Sequence, residues 1–326
     1  MSNNEKDAAN LIVDDEIDIG ELFDLLWGNK FFITLWTSLF MLVSIVYSLT
    51  LTNLYTARTL LAPSSSGQIS SNLSQYSGLA SIAGITLPKS GEGISDKDLA
   101  ISLLKSKGLL QRLINKYDIL PNLIAAENWN LKTNSINYNS NIYDETKRAW
   151  VRKVKPPFKS IPSTQEAYVF FDEAISIVEN SDNGTISLEV DHISPEIAYD
   201  WSLILIQEVN EYVADMRINE AQLSINYLND QIKITPYPDL RALFYELIQQ
   251  HTQSMMLAKV RPEYALTTID PPLIPKTKSS PNRALIIALT SFFGVLSAIF
   301  TVFIRYYLLN LKDSFLSLEK AKKLFS

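Results

Sequence analysis

The residues of this chain that could carry catalytic chemistry are few and scattered. The sequence has no cysteine, and its two histidines, His192 and His251, belong to no common motif. The spacing of a phosphate-binding loop, a zinc protease or a nucleophile elbow occurs nowhere in it, and no cluster has the spacing of metal ligands. We therefore expect a protein that is not an enzyme, with no metal and no cofactor.

Basic side chains interleave with aromatic rings in one segment, 147–159, which reads KRAWVRKVKPPFK. Its candidate binding residues are Lys147, Arg148, Arg152, Lys153 and Lys155. Such a patch binds polyanions, but the chain carries a formal net charge of −6, whereas nucleic-acid binders are normally basic. We favour a solvated or salt-bridged surface and keep an anionic glycan or lipid headgroup as the alternative. We expect no nucleic-acid partner.

Two uncharged, strongly apolar windows, 31–51 and 284–304, are long enough to cross a membrane. Each supplies the ~20 residues that ~30 Å of hydrocarbon requires. A mean hydropathy of +0.04 suits a protein with a few spans and a large aqueous domain. Two buried core helices are the alternative, which the length and the charged flanks disfavour.

Positive charge at the outer ends of these windows predicts the topology. Lys30 precedes the first window and Arg305 follows the second, and such charges mark the cytoplasmic side. The predicted order is a cytoplasmic segment 1–30 with a short amphipathic helix, a span 31–51, a periplasmic domain 52–283, a span 284–304 and a cytoplasmic tail 305–326.

Strand and helix patterns alternate in the outer domain. Strands at 55–62 and 263–270, with a hairpin around 182–184, predict an α/β base close to the membrane. Capping signals begin two helices, one from Ser95 to about Tyr117 and one after Ser163. The asparagine-rich stretch 128–141 is polar and fits neither pattern.

A much longer helix is expected at about 195–235, followed by a returning helix at about 239–260. Its apolar residues recur every three, four or seven positions, and no proline or glycine interrupts it before Pro236. This apolar stripe consists of Ile197, Trp201, Leu205, Val209, Tyr212, Met216, Leu223 and Tyr227. The returning helix is about half as long, so we expect neighbouring subunits to cover part of the stripe.

A proline-rich stretch, 271–281, precedes the second window and predicts an extended, semi-rigid spacer. Ser280 is the expected N-cap of the following helix, with Pro281 as its first residue. Within that helix Thr290, Gly294 and Ala298 are small residues spaced by four, which suits close helix packing in a membrane.

This stretch resembles the signature of the Wzz-type polysaccharide co-polymerases, the O-antigen chain-length determinants. The matching residues of its P-x-x-P…S-P-x-R-x-L-I pattern are Pro272, Pro275, Pro281, Arg283, Leu285 and Ile286. The segment DEIDIGELFDLLW with Lys30 resembles the N-terminal signature of the family, and SGLASIAGI resembles its loop after the first strand.

The resemblance implies a bacterial inner-membrane homo-oligomer that controls how many repeat units a Wzy-type polymerase adds to a lipid-linked polysaccharide. It implies an α+β membrane protein, in which two transmembrane helices bracket a large periplasmic domain with an α/β membrane-proximal base and a long extended helix. Control of enterobacterial common antigen, capsule or exopolysaccharide is the alternative. Relatives in the last two systems carry a cytoplasmic kinase domain, for which the tail after Ile304 is too short. A two-span periplasmic sensor, the second alternative, would need a signalling module that this tail cannot fold.

Overall fold

The computed structural model describes residues 19–64 and 94–324, and side chains at residue 20, at 23–64 and at 94–308. Contacts divide the chain into a smaller unit, 1–51 with 281–326, and a larger unit, 52–280. The loop SGLASIAGI and the part of the N-terminal signature before Ile19 lie outside the described residues.

The described part of the smaller unit consists of three helices: α1 (Ile19–Gly28), α2 (Lys30–Thr50) and α8 (Arg283–Leu324). In α2 and in Arg283–Leu308 the most apolar windows are only 11% and 17% buried. The core helices of a soluble protein would be mostly buried, so core packing does not explain these two helices. Both are long and apolar enough to cross a membrane.

Helix α8 differs from the expected second span at both ends. The expectation that Ser280 caps this helix is wrong, because Asn282 takes that place. The amide of Leu285 donates to Asn282 Oδ1 at 3.3 Å, which satisfies one of the free donors of the first turn. Ser280 is engaged elsewhere, in a backbone bridge to Leu54. The helix also continues past 304 without a break.

An antiparallel sheet with strand order β6-β7-β1-β8 is the base of the larger unit. Its strands are β1 (Tyr55–Pro63), β6 (Ile175–Glu179), β7 (Ile186–His192) and β8 (Leu266–Asp270). The expected hairpin joins β6 to β7, and its turn holds Gly184 at φ +67°, where glycine meets no steric penalty. Every second residue of β7 is buried, so one face of the sheet packs on the core.

Two short hairpins lie outside this sheet. A single π-helical turn (Pro121–Ala125) leads into β2 (Ala126–Asn130) and β3 (Ser135–Tyr138), which pair with each other. The second hairpin pairs β4 (Tyr143–Asp144) with β5 (Ala149–Trp150). The asparagine-rich stretch therefore folds as a hairpin rather than as an irregular loop.

The helix expected from Ser95 to Tyr117 is two helices, α3 (Asp96–Leu104) and α4 (Lys107–Tyr117). The chain breaks because Ser106 caps α4, with its hydroxyl accepting from the Leu109 amide at 3.0 Å. The capping box of α5 (Thr164–Ala174) is present as expected, formed by Ser163 and Glu166.

Two long helices complete the larger unit, α6 (Pro195–Ile234) and α7 (Pro238–Val260). The first half of α6 packs on the sheet and on α3 and α4, where Trp201, Leu205 and Val209 are buried. Its far half packs on α7 around Leu228 and Phe244. The predicted long helix, the sheet and the two apolar helices confirm the α+β fold class.

Candidate functional site

The two ends of the larger unit are hydrogen-bonded to each other at a junction that we call the clasp, Leu54 with Ser279 and Ser280. The Leu54 amide donates to the Ser280 carbonyl at 2.9 Å, and the Ser279 amide donates to the Leu54 carbonyl at 3.0 Å. The Ser279 hydroxyl donates to the same carbonyl at 3.1 Å. The chain therefore leaves the larger unit at the place where it entered it.

The proline-rich motif lies on either side of the clasp. Pro272 is buried and Pro275 is partly buried in the spacer that follows β8, whereas Pro281 comes directly after the clasp. Arg283, Leu285 and Ile286 form the first turn of α8. A proline ring offers no chemistry of its own, so a role of these prolines through backbone geometry stays a prediction.

A buried asparagine attaches the long helix to the sheet, and sequence reasoning missed it. Asn210 Oδ1 accepts from the amides of Ala265 and Leu266 at 2.8 and 2.9 Å. Its Nδ2 donates to the Leu266 carbonyl at 3.0 Å. Since β8 is the edge strand of the sheet, this side chain satisfies backbone groups that the sheet leaves free.

A cluster of charges joins α4 to α6 around Glu208, whose side chain is 0% exposed. Arg112 Nε donates to this carboxylate at 2.6 Å, the Tyr117 hydroxyl donates at 2.8 Å, and Lys116 also donates to it. Burial raises the pKa of Glu208, but the hydrogen bonds from Lys116, Tyr117 and Arg112 outweigh it and lower that pKa overall. A carboxylate held in this way fixes two helices and is not a poised general base.

His192 has a structural role at the end of β7. The Ser194 amide donates to its Nδ1 at 3.0 Å, so Nε2 carries the proton and donates to the Asn122 carbonyl at 3.0 Å. The ring also packs at 5.0 Å from that of Trp201. Burial lowers the pKa of His192 below its usual value, which keeps the ring neutral.

The basic segment is divided between structural and exposed residues. Arg152 is only 16% exposed, pairs with Glu166 at 2.7 Å and donates to two backbone carbonyls. The bond from Arg152 and the hydrogen bond from the Ser163 amide together lower the pKa of Glu166 to about 2. Lys147 pairs with Asp144 at 3.3 Å on the surface. Arg148, Lys153 and Lys155 are exposed.

The small residues of α8 lie against α2 of the same chain. A Cβ on Gly294 would lie 3.0 Å from the Cβ of Phe40, and Ala298 is fully buried. Thr290 is partly buried and donates to the Ile286 carbonyl at 2.7 Å. The close approach of α8 to Phe40 of α2 is therefore seen at Gly294, and a packing role for all three residues stays a prediction.

Among the described residues, no group of three or more His, Asp or Glu side chains is placed to hold a metal ion. The buried polar side chains Asn210, Glu208 and His192 join elements of the larger unit. The site defined by this geometry is a set of structural junctions in a two-span α+β protein.

One family model matches part of the chain. Residues 15–117 match the family model "Wzz: Chain length determinant protein". This match confirms, over that segment, the resemblance to the Wzz-type chain-length determinants that the sequence shows. No curated protein sequence matches the chain.

Two solved structures that match the chain are distant from it in both sequence and structure. A "full-length bacterial polysaccharide co-polymerase" is 16% identical with a TM-score of 0.37, covering 91% of this chain and 99% of its own. A fragment of WzzB, a polysaccharide co-polymerase from Salmonella Typhimurium, is 15% identical with a TM-score of 0.30, covering 70% of this chain and 100% of its own.

Proposed function

We propose that this protein is a non-enzymatic regulator of polysaccharide chain length. It sets how many repeat units a Wzy-type polymerase adds to the lipid-linked O-antigen of lipopolysaccharide. The observation that carries the proposal is the match of residues 15–117 to the chain length determinant family. Control of another surface polysaccharide would use the same architecture, so the experiment below separates these polymers.

The proposed location is the bacterial inner membrane, with both termini in the cytoplasm and the unit 52–280 in the periplasm. Helices α2 and α8 supply two apolar segments of sufficient length. Lys30 Nζ lies 4.9 Å from the centre of the Trp27 ring, at the beginning of α2. A lysine beside a tryptophan is typical of the cytoplasmic interface of a span.

The proposed assembly is a homo-oligomer in which the far half of α6 contacts neighbouring subunits. Three residues of its apolar stripe stay exposed in the single chain: Met216 at 42%, Leu223 at 64% and Tyr227 at 61%. Exposed apolar side chains on one long helix are a common feature of protein interfaces. Leu223→Glu is expected to lower the mass measured by light scattering in detergent, whereas Asn226→Asp on the same helix is the control. Equal masses for both variants would contradict this assembly.

Deletion of the gene tests the function. We expect the lipopolysaccharide ladder to change from a clustered distribution to a broad one dominated by short chains, with polymer still made. Enterobacterial common antigen and capsule are analysed in the same strain, and a change confined to one of them assigns the protein to that polymer. Unchanged length distributions for all three polymers, or complete loss of O-antigen, would refute chain-length control.

A further inference from the structure

Residues 153–161 of the larger unit form a loop that we call the basic loop. It contains Lys153, Lys155 and Lys159, and each of its residues is exposed. Within the part of the chain that the structure describes, none of these three lysines pairs with an acidic side chain. The salt bridges of Lys147 and Arg152 therefore do not extend into the loop, and its positive charge is available to a partner.

Large apolar side chains lie among these lysines. Val154 is 39% exposed, Phe158 is 55% exposed and Ile161 is 63% exposed. None of the three belongs to the hydrophobic core of the larger unit. Lysines combined with exposed apolar groups are typical of segments that lie at the surface of a membrane, where the charges stay in water and the apolar groups leave it.

The basic loop is held in shape at both its base and its tip. At the base, the Arg152 guanidinium donates to two backbone carbonyls of the loop at 2.7 and 2.8 Å and pairs with Glu166 at 2.7 Å. At the tip, the Phe158 amide donates to the Lys155 carbonyl at 3.1 Å. Because the loop is formed before it meets a partner, binding costs little ordering entropy.

A series of contacts connects the basic loop to the clasp. Trp150, just before the loop, packs on Tyr143 at 5.2 Å, and Tyr143 packs on Tyr138 at 5.5 Å. The Tyr138 hydroxyl donates to Asn122 at 2.6 Å, and the Asn122 carbonyl accepts from His192. His192 ends β7 opposite the first residue of β1, which directly follows the clasp. The loop therefore begins at the end of the larger unit that carries the clasp.

The same end joins the larger unit to both apolar helices. Leu54 follows Leu51, the last residue of the first segment of the smaller unit, by a length of chain that spans at most about 11 Å. Ser280 directly precedes Pro281, where the chain returns to the smaller unit. Because α2 and α8 are the proposed spans, this end is tethered to the membrane. A tethered group meets the membrane surface at a high effective concentration.

We propose that the basic loop binds the membrane surface, with its lysines at the phosphates of anionic phospholipids and its apolar side chains among the headgroups. The inference rests on the proposed spans and not on chain-length control. Each lysine near an anionic surface strengthens binding about fivefold, so three lysines together favour the bound loop by about 100-fold. A soluble anion fits less well, because a loop exposed along its whole length encloses no ligand.

The test uses the full-length protein in lipid nanodiscs that contain a lipid with a nitroxide on its headgroup. The nitroxide quenches a fluorophore only at short range. The chain has no cysteine, so Ser160→Cys places a single fluorophore in the basic loop. Asp182→Cys, in the turn before β7, carries the control fluorophore. This turn lies at the opposite end of the sheet, since the far end of β7 pairs with the beginning of β1.

In discs with roughly 30% phosphatidylglycerol, we expect strong quenching of the fluorophore at residue 160 and little quenching at residue 182. Quenching at residue 160 is expected to fall by about half or more when phosphatidylcholine replaces phosphatidylglycerol, or when about 0.5 M salt screens the charges. The triple variant Lys153→Gln, Lys155→Gln and Lys159→Gln should show the same fall in discs with phosphatidylglycerol. The matched control removes three exposed charges from α6 and α7 and should behave as wild type: Lys233→Gln, Arg241→Gln and Lys259→Gln.

Equal quenching at residue 160 with and without phosphatidylglycerol would overturn the inference. Quenching at the wild-type level in the triple loop variant, or its absence in every disc, would overturn it as well. A sulfated tetrasaccharide is the soluble competitor. If it changes the emission of the fluorophore in phosphatidylcholine discs while phosphatidylglycerol does not, the loop binds a soluble polyanion instead of lipid.

The gene deletion tests the proposed function separately. Lipid-dependent quenching with unchanged polymer lengths refutes only chain-length control. A changed ladder without lipid-dependent quenching refutes only the contact between the basic loop and the membrane.

Discussion

Replacement of Asn210 by alanine tests whether a single buried side chain holds the long helix on the sheet. The change removes three hydrogen bonds to the backbone of Ala265 and Leu266, residues that are 1% and 0% exposed. Two amides and one carbonyl then lose their partner. A buried polar group left unsatisfied costs about 1–3 kcal/mol, and the better helix propensity of alanine returns roughly 0.5 kcal/mol. Because the three groups are neighbours and can relax together, each is expected to cost about 1–2 kcal/mol, which gives a net loss of about 3–5 kcal/mol.

Thermal unfolding of the full-length protein in detergent, followed by circular dichroism, measures this loss. For a domain of about 150–250 residues, 1 kcal/mol shifts the midpoint by roughly 2–4 °C, so the expected fall is about 6–20 °C. The matched control is Asn226→Ala on the same helix. Asn226 is exposed and accepts from Gln222 Nε2 at 3.1 Å, so the midpoint of the Asn226→Ala variant is expected to stay within about 2 °C of wild type.

A second substitution at the same position separates hydrogen bonding from packing. Asn210→Asp keeps the shape and the acceptor, but its second oxygen faces the Leu266 carbonyl in place of a donor. Burial raises the pKa of such a carboxyl, and the protonated form can donate again. The Asp variant is therefore expected to gain stability relative to wild type as the pH falls from about 7 to about 5.

An unfolding midpoint of Asn210→Ala within about 2 °C of that of Asn226→Ala would refute the conclusion that the Asn210 side chain holds the long helix on the sheet.

Three further outcomes are expected. Burial lowers the pKa of His192, so the folded protein should lose stability as the pH falls from the usual histidine pKa of 6.5 towards the lowered pKa of His192. His192→Gln should flatten the dependence of the unfolding midpoint on pH. An unchanged dependence on pH would contradict this expectation. Glu208→Gln weakens the bonds from α4 and should cost about 1–3 kcal/mol in the same unfolding assay, whereas no loss would mean that the cluster is not stabilising. Pro275→Gly loosens the spacer and should shift or broaden the polymer ladder while the oligomer mass stays at the wild-type value. Pro281→Ala should have only a mild effect on the ladder. A Pro275→Gly ladder identical to that of the wild type would exclude spacer stiffness from the mechanism.

Local signals in the sequence were sufficient for most of the elements. Three of these signals are the capping box at Ser163, the hairpin turn at Gly184 and the uninterrupted periodicity of α6. Each depends on residues close together in the sequence, so it does not depend on the tertiary structure. The cap of α8 was misassigned for the opposite reason. Ser280 has the local chemistry of an N-cap, but its backbone is used by Leu54, far away in sequence.

The buried polar residues could not be deduced in the same way. Asn210 and Glu208 lie beside Val209 of the apolar stripe, which is a weak signal that polar groups face the core. The partners of Asn210 are 55 or 56 residues away in sequence, and those of Glu208 are 91 to 96 residues away. Only the tertiary structure therefore identifies them. The aromatic contact between Tyr55 and Trp129 is equally non-local.

These contacts give the two halves of α6 different roles. The part of α6 that ends at Arg217 is fixed by specific polar bonds, at Glu208, at Asn210 and at Arg217, which pairs with Asp96 at 2.8 Å. Beyond Arg217 the helix packs on α7 through the apolar cluster around Leu228, and Leu223 stays exposed. Directional bonds specify one orientation of the helix on the sheet, whereas apolar contacts tolerate several partners. We therefore expect changes at Glu208, Asn210 or Arg217 to lower stability, and, if the proposed assembly holds, changes at Leu223 to lower the oligomer mass.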